Sequence, residues 1–256
     1  MISRVEKIDK VILFHDINRF SRTGMQKSNS RYLLDWKKFK QIFESKFDID
    51  FGFETIVNNP QRNSPKSKTR ITIDDGGGSC IEIAKFLKNK NVKGYFFIVT
   101  DFIGKPNFLN TNEIKEIFNM GHEIGSHSHT HPHPFHFLNY DEIIYEIKKS
   151  KTILESILQT PIKRFSVPGG EVNKRILRTL SDPILDLDEI YISTPFKGIM
   201  NFKFSNKIKI FGRLCIEAGM SDSSIQRYLL GKGWLFALVD YQVKRLKREI
   251  IYKLKC

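Results

Sequence analysis

The chain has 256 residues, 40% of them apolar and 27% charged, a composition typical of globular proteins that excludes a disordered or collagen-like chain. Its 42 Lys and Arg residues outnumber its 28 Asp and Glu residues, which gives a formal net charge of +14. The three cysteines, Cys80, Cys215 and Cys256, are too few and too scattered for a disulfide framework and indicate a reducing compartment.

Short apolar runs alternate along the chain with longer stretches of helical periodicity. The runs predict seven strands, at 11–14, 70–73, 94–99, 122–125, 164–167, 189–193 and 207–214. The longer stretches predict helices at 34–47, 80–89, 111–120, 141–158 and 173–180. Such alternation is typical of βα units around a mainly parallel sheet, open or closed into a barrel, and it predicts an α/β fold.

Two of the predicted helices carry start signals, Asn110 with Glu113 and Asn139 with Glu142. The polar stretch 58–69 is predicted to be a loop rather than a domain linker. We therefore expect one large domain over residues 1–220. Residues 221–256 are expected to form a helical extension.

The end of this extension is a predicted basic amphipathic helix over 239–256. Apolar residues recur there at helical spacing, and lysines and arginines occupy other positions on the same turns. Such a helix either docks its apolar stripe on the core or lies on an anionic membrane surface. The net charge would also suit nucleic acid, but the sequence contains no recognisable nucleic-acid motif.

The cellular location of the protein is predicted from the absence of a signal peptide and of a membrane span in the sequence. The first apolar run, residues 11–14, is far shorter than the core of a signal peptide. No segment approaches the roughly 18 apolar residues that suggest a membrane span. We expect a cytoplasmic protein that contacts at most the inner face of the membrane.

Six of the seven histidines lie between positions 122 and 136. Neutral imidazole is a good zinc ligand, and His127 and His131 are close enough in sequence to share one ion. His122 and Glu123 do not form a zincin motif with His127, because the spacing is one residue too long. Taken alone, the cluster could also be an adventitious metal-binding loop.

A second group of polar residues follows the predicted strand 70–73. Asp74 and Asp75 precede Gly76, Gly77 and Gly78 at the point where that strand gives way to a loop. Adjacent carboxylates repel each other, so a bound cation would readily hold one of them ionised while the other acts as a base. An ordinary Asp-Gly turn is the alternative.

These segments together resemble the polysaccharide deacetylases, carbohydrate esterase family 4. The residues Thr72-Ile-Asp-Asp-Gly76 are similar to the first motif of that family, and His127-Ser-His-Thr-His131 to the second. Phe165-Ser-Val-Pro-Gly-Gly170 resembles the third motif, an Arg-x-Pro-x-Gly segment. The resemblance covers roughly residues 70 to 195.

The resemblance implies a distorted (β/α) barrel of about seven strands that binds one divalent metal, commonly zinc. Asp75, His127 and His131 would be its ligands, and Asp74 would be the general base. The oxyanion would be stabilised by the metal and by the backbone N–H of Gly169, beside Pro168 and Gly170 of the substrate site. Ser128 would support the metal loop.

The sequence departs from the family pattern in two places. Ser166 stands where the family has an arginine that orients the catalytic aspartate, and Arg164 or Arg213 could replace it. No histidine follows His136, so the late Leu-x-His motif that supplies the general acid is missing. Leu13-Phe14-His15 is a Leu-x-His sequence at the other end of the chain, and it resembles a circularly permuted branch of the family.

We therefore expect His15 to act as general acid and Leu13 to line the acetyl pocket. The predicted function is metal-dependent removal of N-acetyl groups from an acetamido sugar of a polysaccharide or lipid-linked saccharide, destined for a bacterial surface glycan. Hydrolysis of another non-peptide C–N bond is one alternative. A non-catalytic sugar-binding relative is another, because of Ser166.

Overall fold

A nine-stranded, mainly parallel β-sheet organises the protein. The computed structural model describes residues 8–18, 27–44, 52–57, 68–202 and 205–253. Most of the predicted loop 58–69, the end of the predicted helix 34–47 and the last three residues of the chain lie outside these ranges.

The strands are β1 (Ile8–Phe14), β2 (Asp16–Ile17), β3 (Leu33–Leu34), β4 (Lys68–Ile73), β5 (Gly94–Ile98), β6 (Glu123–Ser126), β7 (Arg164–Ser166), β8 (Glu189–Ile192), β9 (Ile199–Phe202), β10 (Ser205–Gly212) and β11 (Leu214–Cys215). The helices are α1 (Trp36–Phe43), α2 (Cys80–Asn89), α3 (Thr111–Asn119), α4 (Tyr140–Leu158), α5 (Lys174–Leu180), α6 (Asp222–Leu229) and α7 (Trp234–Lys253).

Each predicted strand is present, with boundary shifts of a few residues. The seventh, predicted over 207–214, is divided by Arg213 into β10 and β11, and β9 joins the sheet as an antiparallel partner of β10. These two differences raise the number of strands in the main sheet from about seven to nine. The helix predicted from residue 34 begins at Trp36 because Leu34 pairs in β3 and Asp35 caps the helix.

The two ends of the sheet are connected by one short stretch of chain. The strand order is β11-β1-β4-β5-β6-β7-β8-β10-β9. β10 pairs with β8 towards one end and β11 pairs with β1 at the other, although only Arg213 separates β10 from β11. The chain therefore brings the two ends of the sheet together, as the distorted (β/α) barrel of the family resemblance requires, although the described end strands β11 and β9 do not pair with each other.

Side chains alternate between the inside and the outside of this barrel, as the period of a β-strand requires. The inward residues form a mainly aromatic cluster of Val11, Tyr95, Phe97, Tyr191 and Phe211. Their outward neighbours along the strands pack beneath the helices in two larger clusters. The barrel is thus filled by side chains and positions its functional residues at its rim.

The helices begin and pack as the sequence indicates. Asn110 and Asn139 both form complete capping boxes, with Glu113 and Glu142 respectively. At the other end of the chain, Trp234 begins α7 and is buried in a hydrophobic cluster that also contains side chains of β1 and β4. Within the described residues, no helix is long and apolar enough to cross a membrane.

Arg70 closes the amino-terminal end of the barrel interior. Its guanidinium donates to Glu54 and Glu189 at 2.9 and 3.0 Å and lies 4.1 Å from the centre of the Tyr95 ring. Only 6% of Arg70 is exposed. Because this ion-pair network is largely buried, Glu54 depends on Arg70 for compensation of its charge, and Glu189 shares Arg70 and Arg164.

We expect Arg70→Met to lower the free energy of unfolding by about 3–5 kcal/mol, since Glu54 loses the guanidinium that pairs with it and Glu189 keeps only Arg164. Lys85→Met is the control, because Lys85 pairs with Glu82 and Glu116 on the surface, and it should cost less than about 1 kcal/mol. Urea denaturation measures both variants. Equal stability of the two variants would contradict the assigned role of Arg70.

Candidate active site

The sequence-predicted site residues meet at the carboxyl end of the barrel. His15 follows β1, Asp74 and Asp75 follow β4, and His127 follows β6. Ser166 ends β7, and Arg213 lies between β10 and β11. The carboxyl ends of parallel strands lie at the same rim, so residues distant in sequence converge there.

Asp75, His127 and His131 bring one ligand atom each to within 4.8 Å of the others. The Oδ1 atom of Asp75 lies 3.3 Å from Nε2 of His127 and 3.6 Å from Nε2 of His131. Ligands about 2.0–2.1 Å from a tetrahedral zinc ion lie roughly 3.4 Å apart. The donor set and its spacing therefore fit one divalent cation, with a coordination position left for another ligand.

A backbone contact orients the His127 ring. Its Nδ1 atom lies 2.8 Å from the carbonyl oxygen of Ser166, which can only accept a hydrogen bond. Nδ1 must therefore carry the proton, so the lone pair of Nε2 faces Asp75. Burial alone would raise the pKa of Asp75, but the neighbouring His127, His15 and His131 rings hold that pKa below its usual value.

Asp74 is fixed by a three-residue network inside the barrel. Arg213 Nη1 donates to Asp74 Oδ1 at 2.8 Å, and Arg213 Nη2 donates to the Ser166 hydroxyl at 2.9 Å. The same hydroxyl donates to Asp74 Oδ2 at 2.9 Å. Burial would raise the pKa of Asp74, but the Arg213 guanidinium and the His127 ring lower it, so the carboxylate stays ionised.

Arg213 is thus the arginine that contacts Asp74 in place of the missing motif arginine. Arg164, the other candidate, lies at the opposite end of β7 and pairs with Glu123 and Glu189. Ser166 occupies the position at which the family motif has its arginine. Its hydroxyl accepts a hydrogen bond from Arg213 and donates one to Asp74. The guanidinium therefore reaches Asp74 from the connection between β10 and β11 and not from β7.

His15 lies beside this network. Phe14 pairs with Ile73 in register, and the backbone N–H of Asp74 donates to the Phe14 carbonyl at 3.1 Å, so the residues that follow β1 and β4 are neighbours. The His15 ring packs 4.7 Å from Tyr32, and its Nδ1 lies 3.9 Å from the Cys215 sulfur. Burial lowers the pKa of His15, whereas Asp75 and Asp74 act in the opposite direction.

The third motif forms a tight turn at the cleft wall. Gly169 and Gly170 both have positive φ angles, of 66° and 69°. A Cβ atom at Gly170 would overlap Ser193, whose backbone N–H donates to the Gly170 carbonyl. The positive φ angle and the lack of space for a Cβ atom both require glycine at position 170. With Pro168 before it, the turn places Gly169 in the cleft.

The loop that carries His127 and His131 is held in place by residues other than the three candidate ligands. The hydroxyl of Ser128, which the sequence predicts to support the loop, accepts a hydrogen bond from the backbone N–H of His131. His129 turns away to contact Thr100. The buried carboxylate of Glu146 accepts from the backbone N–H groups of residues 129 and 130 at 2.9 and 2.8 Å. Sequence reasoning missed Glu146, although an acid between the buried Ile143 and Ile147 of α4 was a usable signal.

Asp74, the candidate ligands and His15 face a common cleft of about 450 Å³. Leu13, Val167 and Leu214 provide apolar lining near its base. Its outer walls carry aromatic and charged side chains, namely Arg31, Tyr32, Glu171, Glu217, Tyr228, Asp240, Tyr241 and Lys244. Apolar lining with a few convergent polar groups is the usual form of a small-molecule site.

Comparison with known proteins identifies this arrangement. Residues 61–183 match the family model described as polysaccharide deacetylase. The chain carries a polysaccharide deacetylase domain. A domain of this family indicates a hydrolase of carbon–nitrogen bonds. His15 and Arg213 lie outside the matched residues, so their placement in the site comes from the structure.

Solved structures share the fold of this deacetylase domain. The deacetylase PplD of Streptococcus pyogenes, solved in complex with acetate, is 18% identical, with a TM-score of 0.68 over 86% of this chain and 98% of that one. A polysaccharide deacetylase from Bacillus cereus is 18% identical, with a TM-score of 0.67 over 87% and 69% of the two chains. IcaB from Ammonifex degensii is 15% identical, with a TM-score of 0.61 over 88% and 97%. No curated protein matches the chain.

The remaining histidines of the deacetylase domain have separate contacts. His122 accepts from the Gly94 N–H at 3.1 Å and its other ring nitrogen lies 2.9 Å from the Ala84 carbonyl, so this side chain connects β5 to α2. His133 lines the cleft. His136 pairs with Glu171 at its edge.

His122 should make stability depend on pH. Burial lowers the pKa of His122 to about 4, from about 6.5 in an exposed histidine. The folded state therefore binds this proton less well than the unfolded state, and stability should fall as the pH drops from about 6.5 to about 4. His122→Gln should reduce that decline, as measured by urea denaturation at several pH values. An unchanged pH dependence would contradict this expectation.

Proposed function

We propose that the deacetylase removes N-acetyl groups from an acetamido sugar with the help of one bound divalent cation. The observation that carries this proposal is the meeting of three groups in one cleft. These groups are the cluster of Asp75, His127 and His131, the buried Asp74 carboxylate and the His15 ring. The site thus offers cation ligands, a base and an acid side by side.

Asp75, His127 and His131 would hold the cation, and their nitrogen and oxygen donors suit Zn²⁺. Such a cation would polarise a carbonyl group and lower the pKa of a water molecule towards roughly 7. The chain supplies three protein ligands there, which is the pattern of a catalytic site rather than of a closed structural one.

Asp74 would act as the general base. Its Oδ2 atom lies 3.7 Å from Nε2 of His127, so this oxygen is next to the cation site and can accept a proton from the attacking water. Arg213 and Ser166 hold the carboxylate in place. Because they also favour its ionised form, Asp74 is ready to act as a base.

His15 would protonate the leaving amine. A general acid must reach the cleft from a side different from that of the base, and β1 brings His15 to the neighbouring position on the rim. Leu13 would contact the acetyl methyl group, and the backbone N–H of Gly169 would donate to the oxyanion. The Leu13-Phe14-His15 sequence would thus perform at the start of the chain the role that other family members give to a later motif.

The form of the cleft supports a saccharide substrate. Tyr32, Tyr228 and Tyr241 provide aromatic surfaces for the apolar faces of sugar rings, and the charged residues between them provide partners for hydroxyl groups. The non-catalytic alternative depended on Ser166, and the contact between Arg213 and Asp74 removes that reason. Hydrolysis of a different C–N bond remains distinguishable, because it would release no acetate. The cytoplasmic location stays a prediction.

The first test separates cation binding from catalysis. After zinc loading and desalting, the wild type should hold about one equivalent of metal, and Asp75→Ala and His131→Ala should lose it. Asp74→Asn should keep the metal while acetate release from acetylated sugar oligomers falls by about 10²-fold or more. Elemental analysis and an acetate assay measure these quantities. Metal binding that is indifferent to Asp75 would contradict the proposed ligands.

His15→Ala should lower kcat for acetate release by about 10²–10⁴-fold, because the leaving amine loses its proton donor. The variant should retain its metal, since His15 is not among the ligands. His133→Ala serves as the control, as that histidine also lines the cleft but has no proposed part in proton transfer. Equal loss of kcat in the two variants would remove His15 from the proposed mechanism.

A further inference from the structure

The helix α7 has two faces with different surroundings. Trp234, at its start, is 4% exposed and belongs to the core. Ala237, Tyr241 and Lys244 follow on the same side at spacings of three or four residues, and they line the catalytic cleft. One face of α7 is therefore a wall of the site.

The opposite face is apolar and exposed. Its five members have exposed fractions of 48–74%: Leu235, Phe236, Val239, Val243 and Leu246. We call them the outer stripe. In an α-helix they fall within a band about 100° wide, directed away from Trp234 and Tyr241. A continuous apolar surface of this kind on a protein exterior marks an interaction site.

The charge of α7 distinguishes between possible partners. The helix contains five Lys or Arg residues against two acidic ones, and the whole chain carries +14. Lys247 is exposed and lies within the helix turn that includes Val243 and Leu246. An exposed apolar stripe on a helix of net positive charge, with Lys247 beside it, fits an anionic lipid surface, where each basic residue near the surface adds attraction. Pairing with a second copy would bring two positively charged helices together.

We propose that the outer stripe of α7 lies in an anionic membrane surface and that the deacetylase acts there on a lipid-linked saccharide. The inner face of the same helix forms a cleft wall, so membrane docking would place the cleft beside the lipid headgroups. The substrate part of this proposal rests on the proposed N-deacetylase function. The docking part stands on α7 alone.

The test is co-sedimentation with vesicles, which requires no catalysis. The probes are vesicles of phosphatidylcholine alone and of phosphatidylcholine mixed with phosphatidylglycerol. The variant is Val239→Glu with Leu246→Glu. Its matched control is Val57→Glu with Ile184→Glu, because those side chains are 67% and 53% exposed outside α7 and the added charge is the same. A deletion of α7 would be less informative, since it would also remove a wall of the cleft.

The wild type and the control should bind the anionic vesicles more strongly than the neutral ones. The α7 variant should bind them about tenfold or more weakly, because two apolar side chains no longer enter the lipid. Its thermal unfolding and its acetate release from a soluble acetylated oligosaccharide should match those of the control. This set of results would support docking through the outer stripe.

Two results would overturn the docking proposal. In the first, the wild type remains in the supernatant with anionic vesicles, or the control loses as much binding as the α7 variant. In the second, sedimentation equilibrium shows a dimer that only the α7 variant dissociates, without vesicle binding, so that the stripe joins two copies. Acetate release by the wild type in either case would leave the proposed catalytic function standing, so failure of docking and failure of catalysis are separate observations.

Discussion

The buried ion pair between Arg213 and Asp74 is the interaction on which the site depends. Asp74 is 2% exposed and Arg213 is 1% exposed, so neither charge is compensated by water. Each requires the other, and Ser166 accepts from the guanidinium while it donates to the carboxylate. Removal of any member would leave a buried polar group without its partner.

The same residue accounts for the way the barrel closes. Arg213 interrupts the strand that would otherwise run from β10 into β11, and its backbone N–H donates to the Ile192 carbonyl. Its guanidinium lies about 6 Å from the centres of the Phe97 and Tyr191 rings inside the barrel. Because β10 and β11 pair with opposite ends of the sheet, the residue that joins them necessarily lies at the rim. The residue that connects the two ends of the sheet is therefore also the residue that positions Asp74.

The barrel interior is arranged in layers between two arginines. Arg70 and its carboxylate partners occupy the amino-terminal end, aromatic rings fill the middle, and Arg213 lies beneath the site at the carboxyl end. In barrels of this type, residues at the carboxyl end of the strands carry the chemistry and those at the other end carry stability. The predicted effects of changing Arg70 and the site residues follow this division.

Local patterns were sufficient to predict much of the fold and the candidate ligands. Strands and helices followed from periodicity and caps, and Asp75, His127 and His131 followed from compact motifs in which neighbouring residues act together. Arg213 was only one of two candidates, because it lies 139 residues from Asp74 and no motif surrounds it. The position of α7 along the cleft was equally inaccessible. An amphipathic pattern shows that a helix has two faces, but tertiary packing decides what each face contacts.

The most direct test of this account moves the guanidinium back to the position that the family motif gives it. Arg213→Ser should nearly abolish acetate release, because Asp74 loses its buried partner. The double variant Arg213→Ser with Ser166→Arg retains one guanidinium and one hydroxyl beside Asp74, and it should recover metal-dependent acetate release well above that of the single variant. A double variant no more active than Arg213→Ser, although folded and holding one equivalent of metal, would contradict the claim that Arg213 replaces the motif arginine.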